Sequence, residues 1–371
     1  MSLLPPDSPT VLGDLCFFVK ETCDCSFADS DTYVSTESML PNIAGITASG
    51  SIPLTGLVNK YRQKDILISN IRPYFKKIWQ SDRCGTCSND VLVLRAKDER
   101  ISDYLFALLS EDCFFDYVML GSKGTKMPRG DKNQILTYPI NKQTFSEMLA
   151  IGNFISLIKR KITCNQAIND NLLATCESDY HQLRNECSNY RPLSELAEVC
   201  YGKDHKKLKD GTYPVYGSGG IMRYAERPLC TEKESVLIPR KGSLNNIMYV
   251  SEPFWSVDTM FFTKMKCQDV GKYLYYFLKE QDLTCMNSGS AVPSMTTDIL
   301  NDIMIPFPGN GKLEIFNKQV QPLFDYVKTS LNMIRQLTVI RDTLLPRLMS
   351  GEIDVSNLSY PTKYSFTPSN K

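Results

Sequence analysis

Residues 145–183 read FSEMLAIGNFISLIKRKITCNQAINDNLLATCESDYHQL, with no proline and a single glycine. Apolar residues recur in it at helical spacing through Met148, Ile151, Ile155, Ile158, Ile162, Leu172, Cys176 and Leu183, which predicts one long helix. Asn165 and Asn169 fall on the same stripe, where a buried amide sacrifices stability but can fix the register of a helix pair. A second stripe follows at Leu313, Phe316, Val320, Leu323, Val327, Ile334, Leu337, Leu344 and Leu348. At 1.5 Å per residue each helix would run roughly 50–60 Å. Pro322 predicts a kink or a late start in the second, since a mid-helix proline costs about 3 kcal/mol. Pro346 predicts a bend or a stop near Leu345. Two helices with narrow apolar stripes cannot stay exposed, so the economical arrangement pairs them as an antiparallel coil with a domain at either end. The expected seam is Met148, Ile151, Ile155, Ile158, Ile162, Leu172, Val320, Val327, Ile334, Leu337 and Leu344.

Working outward from the first helix, the flanking segments repeat one another. Leu12-Gly13-Asp14-Leu15 returns as Leu193-Ser194-Glu195-Leu196, a shift of 181. Ile66-Leu67-Ile68-Ser69 returns as Val236-Leu237-Ile238-Pro239, a shift of 170, each after a charged pair. Ser88-Asn89-Asp90 with Val91 to Leu94 matches Ser256-Val257-Asp258 with Thr259 to Phe262, a shift of 168. Tyr104-Leu105 matches Tyr273-Leu274, a shift of 169, and Gly124 to Pro128 matches Gly289 to Pro293, a shift of 165. The order never scrambles and the shifts drift only as loop insertions would make them. Short β-branched or aromatic strands are expected at Asp65 to Ser69, Asp90 to Arg95, Ser235 to Pro239 and Ser256 to Thr263, with short helices at Ser102 to Ser110 and Gly271 to Lys279. The fold class is therefore α+β, two pseudo-repeated α/β domains with two long helices. The expected divisions are a first domain at 1–142, a helical spacer at 143–188, a second domain at 189–310, a second spacer at 311–353 and a C-terminal tail at 354–371.

Composition limits the function. Hydrophobic residues at 42% and charged residues at 22% are ordinary globular values. Thirteen cysteines lie scattered without a framework, which reads as reduced thiols. Residues 1–9 lack a basic and apolar leader, and no apolar run approaches the ~18 residues of a membrane span, so a cytoplasmic protein with no membrane partner is expected. A formal charge of +1 is weak for a protein that grips nucleic acid unaided, so a DNA role must rest on local patches or partner subunits. Such patches exist in the glycine- and lysine-rich loops 121–132 and 203–209, where glycine permits close backbone approach and Lys and Arg supply charge. A solvated loop is the plainer account of either one alone.

Enzyme motifs are missing. The only Pro-Pro, Pro5-Pro6, precedes Asp7 and makes no methyltransferase tetrad. Gly217-Ser218-Gly219-Gly220 lacks the Gly-Lys-Ser/Thr close of a phosphate loop and predicts a tight turn. Cys84-Gly85-Thr86-Cys87 has zinc-knuckle spacing without a second pair, and His181 and His205 are remote, so no metal is expected. Neither histidine sits in a catalytic motif, and Asp103 with Glu111 and Asp112 reads as helix-face charge.

The stretch Leu344-Leu345-Pro346-Arg347-Leu348-Met349-Ser350-Gly351-Glu352-Ile353 resembles the closing signature of specificity subunits of type I restriction-modification systems. Tyr213-Pro214-Val215-Tyr216-Gly217-Ser218-Gly219-Gly220-Ile221 is similar to a segment of their target recognition domains. The resemblance implies two target recognition domains separated by two long antiparallel coiled-coil helices. Each domain would read one half of a bipartite double-stranded DNA target, and the helices would set the gap and dock two methyltransferase subunits. Restriction and translocase subunits would join for cleavage. S-adenosylmethionine, ATP and Mg²⁺ would sit on those partners, with no cofactor and no catalysis in this chain. The first repeat lacks a counterpart of Tyr216 to Gly220, so the two domains are expected to read different half-sites. Candidate DNA contacts are Arg72, Lys76, Lys77, Lys123, Lys126 and Arg129 in the first domain, and Lys206, Lys207, Tyr216, Ser218, Arg223, Arg240 and Lys241 in the second. The competing readings are a scaffold that binds proteins only and a regulator that binds DNA alone; the low net charge argues against the second.

Overall fold

The computed structural model describes residues 10–122, 124, 127–241, 244–285 and 295–355. The chain forms two compact units, one from residues up to Asn165 together with those from Met333 onward, the other from Gln166–Asn332.

In the first unit a short helix α1 (Leu12–Leu15) leads into strands β1 (Cys16–Phe18), β2 (Thr22–Asp24), β3 (Leu57–Tyr61), β4 (Ile66–Ser69), β5 (Ile78–Gln80), β6 (Gly85–Cys87) and β7 (Val91–Ala96). The main sheet has the order β1-β7-β4-β5, antiparallel throughout. Strand period two splits its side chains between two cores. Ile66, Ile68, Leu92 and Leu94 face the larger one, whereas Leu67, Val91 and Val93 join Val34, Met39, Tyr61 and Cys87 in a smaller one. Both faces are covered, which is why the strand reads as an unbroken apolar run. Beneath the sheet edge, Asp65, only 2% exposed, takes two hydrogen bonds from Arg95, Nε at 2.7 Å and Nη2 at 2.7 Å, and Arg95 Nη1 reaches Glu21 at 2.9 Å. The Asp65 carboxylate, aided by Glu21, holds that guanidinium above its ordinary range.

Helices α2 (Ser102–Leu109), α3 (Asp112–Leu120) and α4 (Lys132–Leu136) cover the sheet, and α5 (Phe145–Asn185) follows. Thr144 and Glu147 form a reciprocal cap at the start of α5, Thr144 N donating to Glu147 Oε2 at 2.7 Å and Glu147 N to Thr144 Oγ1 at 3.3 Å. Gly152 lets α5 come down on α2: a Cβ there would stand 2.7 Å from the Tyr104 backbone nitrogen. Glu111, at the N-terminal boundary of α3, has a carboxyl pushed up to about 7 by burial. A carboxyl raised in the folded state holds a proton that the unfolded chain has released, so its contribution is present below about pH 4.5 and is lost as pH rises through about 7. Glu111→Gln should therefore be the more stable protein at pH 8 and lose that advantage at pH 4.5. After allowance for solvent screening the change should be on the order of 1 kcal/mol, read from urea unfolding at the two pH values.

The second unit repeats this plan after β8 (Tyr190–Pro192): α6 (Leu193–Leu196), β9 (Ala197–Tyr201), β10 (Asp210–Gly217), β11 (Gly220–Ala225), β12 (Ser235–Pro239), β13 (Met248–Val250), β14 (Trp255–Ser256), β15 (Met260–Met265), α7 (Gly271–Glu280), α8 (Thr297–Asn301), β16 (Met304–Pro306) and α9 (Asn310–Met349). Its main sheet runs β9-β15-β12-β13, the same order as β1-β7-β4-β5. Val236, Ile238 and Phe261 face one core and Leu237, Met260 and Phe262 another, again by strand alternation. The second sheets differ. In the first unit β3 is flanked by β2 and β6, both antiparallel; in the second β10 is flanked by β11, antiparallel, and β14, parallel. The strand expected over Ser256 to Thr263 is split for this reason. Ser256 belongs to β14, Val257 N donates to Tyr216 O at 3.0 Å, and Met260 N turns back to Val257 O at 3.0 Å before β15 begins.

The two long helices pair antiparallel within each unit. In the first, Asn141 and Gln143, just before α5, donate to the carbonyls of Met349 and Leu348 at the end of α9, satisfying groups that a helix terminus leaves open. In the second, Lys312 at the start of α9 pairs with Glu186 just beyond α5 at 2.8 Å. A shift of 165 matches Met148, Ile151, Ile155 and Ile158 with Leu313, Phe316, Val320 and Leu323, so the repeat extends into the helices. Met148, Ile151 and Ile155 pack into the first unit's main core beside Leu345, Leu348 and Met349; Val320 does so in the second. Ile158 and Val327 are buried, and Ile162, Leu172, Ile334, Leu337 and Leu344 half-buried. Asn165 is buried with Nδ2 at 3.4 Å from Met333 Sδ, and both amide atoms of Asn169 are buried without a partner among the described residues.

Neither a late start at Pro322 nor a stop near Pro346 occurs. Helix α9 starts at Asn310 and runs unbroken through Pro322 and Pro346 to Met349. Both prolines lie on exposed positions, where water can take the carbonyl each leaves unpaired.

Candidate nucleic-acid interface

Strands β9 and β12 both run antiparallel to β15, so their C-terminal ends meet the start of β15 at one edge of the second unit. Loops converge there. Gly202 N donates to Met260 O at 3.0 Å, Lys203 N to Ser256 O at 2.8 Å and Trp255 Nε1 to Lys203 O at 2.9 Å. A Cβ on Gly202 would fall 2.7 Å from the Ser256 carbonyl oxygen and closer still to that of Val257, so only glycine fits. Arg240, directly after β12, donates through its backbone to Thr259 O at 2.9 Å; its Nη1 reaches Asp258 O at 3.4 Å and its guanidinium lies 5.4 Å from the Tyr201 ring centre. Ser218 sits in the two-residue turn between β10 and β11, where Gly217 pairs with Gly220 at φ 110°, and Asn246 Nδ2 holds its carbonyl at 2.6 Å. The tight turn expected of this glycine-rich segment is what forms.

The first unit has the matching edge. Asn70 N, just after β4, donates to Asp90 O at 2.8 Å, as Arg240 N does to Thr259 O. Arg72 N donates to Pro128 O at 2.9 Å, Ile71 bridges to Arg129, and Arg129 pairs with Asp90 Oδ1 at 2.9 Å. Arg72 and Lys76 both lie in the left-handed region, at φ 51°, on either side of a single 3-10 turn, Pro73–Phe75. Non-glycine residues there cost of order 1–3 kcal/mol each, and such strain collects at working sites.

The structure sorts the candidate contacts. Arg72, Arg129, Ser218, Arg240 and Lys241 lie at these two edges, and Lys206 and Lys207 are exposed in the loop that leads from one of them. Backbone N–H of Lys206 holds the carboxyl of Asp204 below its usual range. Other candidates are committed inside their unit. Lys77 Nζ donates to Thr36 O at 2.7 Å, Lys76 pairs with Asp112 at 2.6 Å, and Arg223 donates to Leu208 O at 2.7 Å and pairs with Asp210 at 3.1 Å. The Tyr216 ring, 9% exposed, packs edge-on to Phe254 in the core. Lys123 and Lys126 lie outside the described residues. Sequence reasoning passed over Asn70, Tyr201 and Asn246; the shift of 170 that aligns β4 with β12 puts Asn70 opposite Arg240 and could have found it. Cys87 is buried in β6 while Cys84 is exposed, and no cluster of three or more metal-ligating side chains occurs among the described residues. None of the helices among those residues is long and apolar enough to cross a membrane.

The profile of the family described as type I restriction modification DNA specificity domain matches residues 185–336. The HindI type I restriction enzyme specificity subunit of Haemophilus influenzae is 37% identical over 89 residues, 22% of this chain and 19% of that protein. The MjaIX specificity subunit of Methanocaldococcus jannaschii is 25% identical over 151 residues, 41% of this chain and 33% of that protein. The matched segments thus span a fifth to a third of those two relatives. A crystal structure of the type I restriction-modification S subunit from M. genitalium covers 91% of this chain and 95% of its own, with a TM-score of 0.61 at 18% identity, a likeness of fold.

Proposed function

Because residues 185–336 match the model of the type I restriction modification DNA specificity domain family, we propose that the chain is the sequence-specific DNA-recognition subunit of a type I restriction-modification complex. Each unit reads one half of a bipartite target. The long helices set the gap and dock two methyltransferase subunits, with restriction and translocase subunits joining them in the cytoplasm. S-adenosylmethionine, ATP and Mg²⁺ belong to those partners, and this chain positions DNA rather than transforming it. The observation that carries this reading is the repetition of one sheet order, with loops converging on the equivalent edge in both units. Different side chains at equivalent places, Asn70 against Arg240, support different half-sites.

The test is to co-express the chain with a methyltransferase subunit and map methylated bases at single-base resolution. The expected result is a split motif with a fixed gap that vanishes when this chain is removed. Methylation that ignores the chain, despite a stable complex, would favour a protein-binding scaffold. In the same assay Arg240→Ala should relax the choice at one base of one half-site by about ten-fold or more, because a positioned guanidinium fork carries ~1–3 kcal/mol of discrimination. Equal weakening on all sequences would make Arg240 a phosphate anchor instead.

A further inference from the structure

Six non-glycine residues among those described have positive φ, and four of them meet at one place in the first unit: Asn42 (55°), Ile43 (62°), Arg72 (51°) and Lys76 (51°). Two hydrogen bonds lock them together, Asn42 N to Phe75 O at 2.9 Å and Ile43 N to Lys76 O at 3.0 Å. A left-handed β-branched residue such as Ile43 is a genuine outlier, held only because its surroundings over-determine it. What this strain presents is an aromatic pair. Tyr74 is 47% exposed and Phe75 39% exposed, with ring centres 4.7 Å apart, on a turn that Pro73 stiffens. The turn follows β4 at the edge that carries Arg129, and Ser69 N and Arg72 N tie it down through Lys77 O and Pro128 O. Arg72 Nε has no acceptor among the described residues.

Resting on the reading of the chain as a DNA-recognition subunit, we propose that Tyr74 and Phe75 form a preformed wedge that stacks against base pairs and opens a base step in the half-site read by the first unit. An exposed aromatic pair alone would suit a protein partner equally. Duplex DNA is favoured because the turn begins at Arg72, whose Nε has no acceptor among the described residues, and is tied by backbone to the segment that carries Arg129, 55% exposed beside Asp90, a setting that suits a polyanion whose bases offer π-faces. A wedge also has to resist being pushed flat, which a doubly hydrogen-bonded, strained turn does and a mobile loop does not. Such a device reads deformability, favouring steps that unstack easily, and so adds discrimination where no side chain hydrogen-bonds a base edge.

The experiment uses the full chain in complex with its methyltransferase subunit and a duplex carrying the mapped motif, with 2-aminopurine placed in turn at each step of the half-site that Arg240→Ala leaves unchanged. Binding should raise fluorescence at one step. In Tyr74→Ala/Phe75→Ala that rise should vanish and affinity should fall about ten-fold or more, whereas Tyr74→Phe/Phe75→Tyr, which keeps both rings, should retain both. Thermal melting of the variants checks that these exposed positions leave the fold intact. Unchanged affinity and fluorescence in the alanine variant, with methylation still confined to the motif, would overturn the wedge alone. Unchanged DNA affinity with loss of the methyltransferase subunit on co-purification would also overturn it and assign the turn to a protein partner. If no motif depends on this chain at all, the recognition reading falls and the wedge with it.

Discussion

Arg95→Ala should destabilise the first unit by about 3–5 kcal/mol, enough to unfold much of it if the unit has the 5–15 kcal/mol typical of a domain. The size follows from Asp65, which is 2% exposed and receives both Arg95 Nε and Nη2 at 2.7 Å. Removing the guanidinium leaves a buried carboxylate whose remaining donor among the described residues is the Arg62 backbone N–H, at 2.8 Å. Its desolvation cost is then uncompensated, whereas the net worth of the intact pair is much smaller. Two comparisons make this checkable in urea unfolding. Arg95→Met with Asp65→Leu removes both charges and should recover most of the loss, and Arg347→Ala, which breaks the exposed pair with Glu352, should cost under about 0.5 kcal/mol. A loss near that smaller figure for Arg95→Ala would show that water reaches Asp65 and that the pair is not buried in solution.

Gly152→Ala should also be strongly destabilising, by about 2–4 kcal/mol, although it replaces the worst ordinary helix former with the best. Propensity alone predicts a gain of about 1 kcal/mol. Sterics oppose it: the new Cβ would lie 2.7 Å from Tyr104 N and 3.2 Å from Tyr104 Cα, backbone atoms of α2 that cannot swing aside as a side chain would. Helix α5 must lift, and Met148, Ile151 and Ile155 must leave a packed core. The measurement is the unfolding midpoint of the variant, and an increase over the parent would mean that α5 and α2 approach less closely than described. At Gly309, by contrast, nothing lies within 4 Å of a new Cβ, but φ of 91° makes any side chain strained.

Much of this architecture was legible in the sequence because it rests on periodicity. The run Ile66 to Ser69 and its echo at 236–239 are buried on both faces, so almost every position is constrained to be apolar and the repeat survives in the letters. The helical stripes are legible for the same reason. What escaped is whatever depends on a distant partner. Lys77, Lys76 and Arg223 look like free cations in one dimension, but their partners Thr36, Asp112 and Leu208 lie 15 to 41 residues away and are found only once the chain has folded. Tyr216, a candidate DNA contact in the sequence because it adjoins the glycine-rich segment, is turned into the core by strand β10. The left-handed turn at Arg72 to Lys76 has no glycine to announce it, since it is imposed from outside by Asn42 and Ile43. Pro322 and Pro346 do not interrupt α9, and both stand on exposed positions where water can take the freed carbonyl.

The discontinuity of the first unit sets an order on synthesis. Leu345, Leu348 and Met349 belong to the same core as β4 and β7, yet all of Gln166–Asn332 must leave the ribosome before they do. The second unit is a single uninterrupted segment and can complete its own contacts as soon as it emerges. The first must wait with part of its apolar surface uncovered, and it closes its long loop only when the last turns of α9 dock. Until then the newly made chain is exposed to aggregation and proteolysis at a surface that the folded unit hides.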